Sequence, residues 1–408
     1  MTAALPRVGA IIVVSAAIFL AGLWRAWMTG QVDPWDWTMG AAIVAGVVGL
    51  LAGWSRRAIG LWAGLGGAGM ALLFCIRASA RAPDPAAAAC LLAVVLMASS
   101  GGAMLRPFPG ASARARKQVA LAAATLVATV ILLWLGPPQP IRPTPQRPTL
   151  AIITGLPLFW DEMGRGGPRD APIMSVLRSR FTITPLDDPR QLRGSKAQRL
   201  LLAQPRALSP EQLTAIDQWV RGGGRALVLA DPLLRWPSAL PLGDRRRPPA
   251  IHLLDPLLAH WGWRPSAAPA AGEKRQLLKN GAVATLHDGA LAADGPALLR
   301  VGKGTARIVE DADLLDDRLW LADPQRPLDS RLWSADTPAL VAGWLGADLA
   351  GRRRWMRTAE DVTAALRWSF LAGTIWAILG AVVLAGRMHP LRARTKRENK
   401  LLKTEENG

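Results

Sequence analysis

Apolar residues along the chain fall into two blocks, separated by a long stretch in which polar and apolar residues alternate as in a soluble domain. A helix needs about 20 mostly apolar residues to cross a bilayer. Six segments come near this length: Val8–Trp24, Met39–Trp54, Ile59–Ile76, Ala86–Leu105, Val119–Leu135 and Trp368–Gly386. The pattern therefore predicts an α-helical membrane region in contact with the lipid bilayer.

Small and aromatic residues refine this prediction. The third segment holds the glycines Gly64, Gly66, Gly67 and Gly69, which would weaken a helix in water but allow close helix packing in lipid. We interpret them as packing residues rather than as a pore or ligand site. Tryptophans at segment ends, among them Trp37 and Trp134, are typical of an aromatic belt at the membrane surface.

Basic residues in the short loops predict the orientation. They gather at Arg7, at Arg56–Arg57, at Arg106–Lys117 and after Gly386, and all four groups fall on one side if the six segments span. The positive-inside rule makes that side cytoplasmic. Hence we expect a multi-pass inner (plasma) membrane protein with both termini cytoplasmic and residues 137–367 extracytoplasmic. Arginines at 352–354 stand on the outer side, but long translocated segments are largely exempt from the rule.

The stretch between the blocks reads as strands alternating with helices. Apolar runs at Thr149–Thr154, Arg199–Ala203 and Arg225–Ala230 are typical of buried strands. A capping sequence at Ser209–Gln212 opens a helix, and a glycine run at Gly222–Gly224 closes it. Strand, helix and strand at these lengths predict a parallel sheet. A further helix is expected at Leu253–Trp263, and Ala297–Val301 is expected to be a strand, within a small β-rich insertion near 265–300.

The chain thus divides into five predicted parts. They are a membrane region of five helices at 1–136, a Pro-rich linker at 137–148, an extracytoplasmic α/β domain at 149–350, a pre-membrane segment with the sixth helix at 351–387, and a basic cytoplasmic tail at 388–408.

Composition excludes several kinds of function. The net charge is +19, but no element combines a basic stripe with aromatics, so we predict no nucleic-acid partner. Both cysteines, Cys75 and Cys90, lie in apolar segments, which leaves the soluble stretch without a thiol nucleophile or cysteine metal ligands. The four histidines lack metal-binding spacing, so neither a metal site nor a cofactor is predicted. No Walker motif is present, and an ATPase would have to be another chain.

The segments LLLAQPRALSPEQLTAIDQWVRGGGRALVLADPLL and GKGTARIVEDADLLDD resemble the auxiliary component of gliding-motility-type ABC transport systems. That family has a periplasmic domain related to class I glutamine amidotransferases, which implies an amidotransferase- or flavodoxin-like parallel sheet. It also implies ABC permease and ATPase subunits as partners. The resemblance aligns the relatives' cysteine nucleophile with Ala230, and the segment that should carry their histidine, Val309–Asp313, has none. We therefore expect no catalytic residues and no enzyme activity.

Acidic residues stand at the predicted strand ends instead. Asp231, Asp311 and Asp313 are candidate ligand-binding residues for a cation or a cationic ligand, because ligands of parallel sheets bind beyond the carboxyl ends of strands. The alternative is that Asp231 and Asp313 are turn or helix-capping residues. Asp316 and Asp317 are expected to be solvated.

Three functions remain open on this basis. The first is a non-enzymatic membrane-anchored auxiliary component of an ABC-type transport or cell-envelope system, whose outer domain binds a partner or ligand. The second is a membrane-anchored hydrolase that uses the acidic strand ends, and the third is a membrane sensor that signals through the last helix.

Overall fold

The computed structural model describes residues 5–53, 57–105, 113–160, 169–264, 272–291, 295–349, 351 and 353–386. The chain forms two compact units, Met1–Pro138 with Arg354–Gly408, and Gln139–Arg353. Several residues used above to predict orientation lie outside the described residues: Arg56, Arg106, Arg352, the basic residues after Gly386 and the tail 388–408.

The first unit is helical. Its helices are α1 (Leu5–Thr29), α2 (Trp35–Ala52), α3 (Arg57–Ser79), α4 (Pro85–Met104), α5 (Ala113–Leu135) and α10 (Ala359–Gly386). Each is long and apolar enough to cross a membrane, and the described residues contain six such helices. The local sequence explains the start of α4, where the Asp84 carboxylate accepts a hydrogen bond from the Ala87 amide at 3.1 Å and Pro85 occupies the first turn.

Aromatic residues hold this unit together at two places. Trp37 is fully buried, and its indole N–H donates to the Phe19 carbonyl at 2.7 Å. It therefore contributes to the helix core, and its assignment to an aromatic belt was wrong, whereas Trp134 is 78% exposed. Between α3 and α10, Trp62 and Trp376 stack at 4.5 Å and each donates to the other's carbonyl, at 2.9 and 2.8 Å. These paired bonds satisfy two indole N–H groups that lipid could not solvate.

The segment just before α10 also belongs to the helical unit. The Val32 amide donates to the Arg354 carbonyl, and the Met356 amide donates to the Gly30 carbonyl, both at 2.8 Å. The Arg354 side chain donates to the Ala82 carbonyl at 2.8 Å. This arginine thus has a structural partner, which accounts for a basic residue on the predicted outer side.

The second unit is an α/β domain, as predicted. Its main sheet has the order β2-β1-β3-β4-β8-β7. The strands are β1 (Thr149–Thr154), β2 (Thr182–Pro185), β3 (Arg199–Ala203), β4 (Arg225–Leu229), β7 (Ala297–Val301) and β8 (Gly304–Val309), while β5 (Lys274–Leu277) and β6 (Val283–Leu286) form a separate hairpin. All neighbours in the main sheet are parallel except β7 and β8. The five parallel strands follow the flavodoxin-like doubly wound order.

Helices cover the sheet because its strands are apolar on both faces. The shorter helices are α6 (Pro172–Arg178), α7 (Pro210–Arg221), α8 (Asp255–His260) and α9 (Thr337–Trp344). Ile216 and Val220 of α7 join alternate strand residues such as Leu200 and Val228 in one core. The intervening residues, Leu201 among them, are also buried, so both faces are covered. The predicted capping box at Ser209 is present and contributes about 1 kcal/mol.

Two predicted details of this unit differ from the structure. Residues Ala297–Val301 are not part of the β-rich insertion. They form the antiparallel edge strand of the main sheet, because the tight turn at Gly302 returns the chain directly into β8. The helix expected at Leu253–Trp263 is limited to Asp255–His260, since Gly262 adopts a φ of +81° that ends it.

The Pro-rich segment after α5 contains no helix or strand. Its backbone is nevertheless attached to the α/β unit: the Ile141 amide donates to the Leu328 carbonyl at 2.8 Å, and the Thr144 amide donates to the Ser179 carbonyl at 3.0 Å. Residues from Gln139 onward therefore pack as part of that unit rather than as a free spacer.

A pair of glycines on α3 tests the packing of the helical unit. A Cβ at Gly67 would lie 2.7 Å from the Ile18 Cβ and 2.9 Å from the Ser15 carbonyl oxygen of α1, whereas a Cβ at Gly69 would meet nothing within 4 Å. We expect Gly67→Leu to cost about 1–3 kcal/mol or more through forced separation of the helices, and Gly69→Leu about 0.5 kcal/mol or less. The temperature at which the detergent-solubilised protein loses its monodisperse peak in size-exclusion chromatography measures both. Equal losses would contradict the packing role.

Candidate functional site

The candidate site lies where β4 and β8 end side by side. Asp231 follows β4 by two positions, and Asp311 and Asp313 follow β8. The structure brings all three together: one carboxylate oxygen from each lies within 4.8 Å of the others. Their exposures are 0%, 0% and 3%, respectively. This acidic cluster arises because adjacent parallel strands deliver their carboxyl ends to the same edge of the sheet.

Asp231 connects the two strand ends. Its Oδ1 accepts a hydrogen bond from the Leu233 amide at 2.8 Å, which forms a turn within its own loop. Its Oδ2 accepts from the Ala312 amide at 2.9 Å, which lies on the loop after β8. The turn-forming alternative considered for Asp231 is thus realised, and it coexists with membership of the cluster.

Asp311 and Asp313 differ in how their oxygens are used. Asp311 accepts from the His287 amide at 2.9 Å and from the Leu314 amide at 3.0 Å. Asp313 accepts at Oδ2 from the Arg235 amide at 2.7 Å. Its Oδ1 is buried and, among the described residues, has no hydrogen-bond partner. Asp313 does not cap the short turn that it begins.

Sequence reasoning missed His287, which lies next to the cluster. It directly follows β6, and 4% of its surface is exposed. One ring nitrogen, Nδ1, faces the Asp288 carbonyl at 3.0 Å, and the other, Nε2, faces the Glu310 carbonyl. Two carbonyl acceptors require two N–H donors, so this geometry favours the imidazolium form. The spacing along the chain gave no signal, because His287 is 24 residues from Asp311.

Burial and mutual repulsion raise the pKa values of Asp311 and Asp313. Desolvation and the neighbouring Asp231 charge raise the pKa of Asp311 to about 7. Desolvation, together with the charges of Asp231, Asp311 and Glu273, raises the pKa of Asp313 to about 8. Burial opposes the charged form of His287, but its hydrogen bonds to the two carbonyls and the nearby aspartates raise its pKa overall.

A second residue missed from sequence, Gln204, braces the loop that carries Asp231. It follows β3 with a φ of +43°, one of two non-glycine residues with positive φ in the described chain. Its Oε1 accepts from the Asp231 amide at 2.9 Å, and its Nε2 donates to the Asp231 and Pro249 carbonyls at 3.2 and 3.1 Å. The side chain is fully buried. A strained, fully bonded glutamine fixes the position of Asp231.

The position that the resemblance aligned with a nucleophile has no reactive group and no strained elbow. Ala230 is 1% exposed, its amide donates to the Val309 carbonyl at 2.9 Å, and its φ is not positive. One expectation nearby was wrong: Asp316 is 4% exposed and pairs with Arg318 rather than being solvated. Asp317 is half-buried as well, and desolvation raises its pKa.

At the amino ends of the strands the surface is basic. A groove of about 1170 Å³ is lined by one acidic residue, Glu211, and by four arginines: Arg190, Arg193, Arg199 and Arg225. Arg199 and Arg225 are register partners on β3 and β4, and burial together with the Arg225 charge lowers the pKa of Arg199. Arg190 is already paired with Asp188. This arginine groove is suited to an anionic or acidic ligand.

Comparison with known protein families gives a match within the α/β unit. Residues 147–268 match the family described as an ABC-type uncharacterized transport system. The match covers β1 to α8, and therefore includes Asp231 but neither Asp311 nor Asp313. No curated protein matches this chain. Together with the six apolar helices, the family match supports an auxiliary component of an ABC-type transport system in a membrane.

The raised pKa values of the cluster predict a pH-dependent stability. A carboxyl whose pKa is raised by folding stabilises the fold while protonated, and this contribution is lost as the pH rises through the folded pKa. With values of about 7 for Asp311 and 8 for Asp313, against an ordinary 3.8, the free energy of unfolding should fall between about pH 4 and pH 8. One pKa unit corresponds to about 1.4 kcal/mol.

Thermal unfolding of the detergent-solubilised full chain, followed in a chelator across that pH range, measures this loss. Asp313→Asn should make it smaller, because one titrating group is removed while an oxygen remains to accept from the Arg235 amide. Asp187→Asn is the control, since Asp187 is exposed. Stability that stays constant or rises over the range would contradict the prediction.

Proposed function

We propose that this chain is a non-enzymatic, membrane-anchored auxiliary component of an ABC-type transport system, of the gliding-motility type, whose α/β domain binds a partner. The observation that carries the proposal is the family match over 147–268, within a chain whose described residues include six apolar helices. The sheet order supports a flavodoxin-like domain, in keeping with the amidotransferase relationship. Partner permease and ATPase subunits would supply the transport pathway and the energy.

The residues that follow β3 and β4 support a role without catalysis. Gln204 follows β3, and its side chain is engaged in hydrogen bonds to the backbone. Ala230 follows β4 and has no reactive side chain. The acidic cluster is almost wholly buried, which is unsuited to a hydrolase that must admit a substrate. Both cysteines lie in the apolar helices, so neither supplies a nucleophile to the α/β domain.

The arginine groove is the surface that we assign to the partner. Arg199 and Arg225 begin β3 and β4, and Arg193 and Arg225 are exposed. Arg193 forms a 3.2 Å hydrogen bond to Gln218, a contact weak enough to exchange for a carboxylate. An acidic extracytoplasmic segment of the permease fits this chemistry.

We also propose that the α/β unit is extracytoplasmic and that both termini are cytoplasmic. A cysteine introduced at exposed Asp187 should react with a membrane-impermeant maleimide in intact cells. A cysteine at Ala58, at the start of α3 beside Arg57, should react only after permeabilisation. The two native cysteines are buried and give a low background. Protection of the cysteine at 187 in intact cells would reverse the orientation.

The transport role is tested by affinity purification of the tagged full chain from native membranes in mild detergent. We expect an ABC ATPase and a permease to co-purify, identified by mass spectrometry. The double variant Arg193→Glu with Arg225→Glu should reduce their recovery by at least about tenfold, because two attractive charges become repulsive. Arg300→Glu is the matched control, since Arg300 is an exposed arginine on the edge strand β7.

The outcomes separate the two parts of this proposal. Purification of the wild-type chain free of any ATPase or permease would refute the transport role. Full recovery of these subunits with the double variant would leave the transport role standing and refute the assignment of the groove.

A further inference from the structure

The acidic cluster is an electrostatic anomaly within its own unit. Three carboxylates approach within 4.8 Å while almost completely buried. Among the described residues, no lysine or arginine forms an ion pair with any of them. Like charges at this separation in a poorly solvated site repel strongly, so the cluster needs a neutralising partner.

Asp313 supplies a second observation that points to a ligand. Only 3% of its surface is exposed, and its Oδ1 has no hydrogen-bond partner, although its Oδ2 is engaged by the Arg235 amide. A buried carboxylate oxygen without a donor loses its hydration without compensation. Each oxygen of Asp231 and Asp311, by contrast, accepts a backbone N–H, and each still has a lone pair to offer to a cation.

Ligand type and spacing indicate which cation fits. An all-oxygen set of carboxylates is preferred by hard divalent cations. Calcium binds oxygen at about 2.3–2.6 Å, so two of its ligands can be up to about 4.6–5.2 Å apart, whereas magnesium, at about 2.0–2.1 Å, allows about 4.2 Å at most. The three oxygens lie within 4.8 Å of one another, a spacing compatible with calcium. Calcium also tolerates irregular geometry, whereas magnesium demands near-ideal octahedral geometry.

From the sequence, these three aspartates were candidate ligands for a cation, whereas the spacing of the histidines predicted no metal site.

We propose that Asp231, Asp311 and Asp313 form a structural calcium site that fastens the end of β4 to the end of β8. The loop at Arg235 is held as well, since its amide is bonded to Asp313. The site is independent of the transport role. Its function is to fix the loops at the carboxyl edge of the sheet, in the way that bound metal stabilises a fold that cannot otherwise bury its ligands.

The test uses the full chain in detergent, stripped of metal with a chelator and then titrated separately with CaCl₂ and MgCl₂ in a calorimeter. We expect one calcium per chain and weaker binding of magnesium. Asp313→Asn should reduce calcium affinity by at least about tenfold, and Asp187→Asn should leave it unchanged. Asn at 313 can still accept from the Arg235 amide, so the variant is expected to fold.

Thermal unfolding provides a second readout, in which wild type should be stabilised by calcium and Asp313→Asn should be the more stable chain in chelator. Calcium should raise the unfolding midpoint of the wild-type chain and of Asp187→Asn, but not that of Asp313→Asn. In chelator, Asp313→Asn should be more stable than wild type, because one repelling carboxylate has gone. Hydrogen exchange in peptides covering residues 229–235 and 309–315 should slow on addition of calcium in the wild-type chain and in Asp187→Asn, but not in Asp313→Asn.

Two results would overturn the proposal. If the wild-type chain binds no calcium while Asp313→Asn is stabilised in chelator, protons alone neutralise the cluster. If wild type, Asp187→Asn and Asp313→Asn all bind calcium equally, the ion is held by exposed carboxylates and not by the cluster.

Discussion

Parallel pairing of β4 with β8 is the constraint on which the α/β unit depends. It places the residues after each strand at one edge of the sheet, so that the Asp231 carboxylate reaches the Ala312 amide at 2.9 Å across 81 positions of sequence. The same pairing forces three carboxylates into a poorly solvated space. Gln204, held at positive φ, fixes one side of this arrangement through three hydrogen bonds. The parallel register of β4 and β8 therefore both joins the sheet at this point and brings the acidic cluster together.

The helical unit meets a different constraint, because lipid offers no hydrogen bonds and no hydrophobic drive for helix association. Its helices are joined by close packing at small residues, such as Gly67 against α1, and by internally satisfied indoles. The stacked pair Trp62 and Trp376 connects α3 to the last helix, although 314 residues separate them in sequence. The two chain segments that flank the α/β unit thus belong to one helical assembly.

The acidic cluster and the arginine groove are suited to different roles within the α/β unit. At the carboxyl ends of β4 and β8, where related folds bind ligands, the three aspartates are buried, while exposed arginines of the groove lie at Arg193 and at Arg225, the first residue of β4. A buried, hydrogen-bonded cluster is better suited to fixing loops than to turning over a substrate. An exposed basic groove is better suited to recognising another protein. This division agrees with an auxiliary component of an ABC-type transport system.

Local patterns in the sequence determined the elements of this protein. Apolar length marked the six membrane-spanning candidates, and β1, β3 and β7 have the bounds that their apolar runs predict. The carboxyl-end position of Asp231, Asp311 and Asp313 also followed, because parallel strands share an edge. Only the tertiary structure brought His287 and Gln204 to that cluster, buried Asp316 and Trp37, and moved β7 into the main sheet. These features depend on contacts between segments that are far apart in sequence. Such contacts produce no periodic pattern of residues from which they could be predicted.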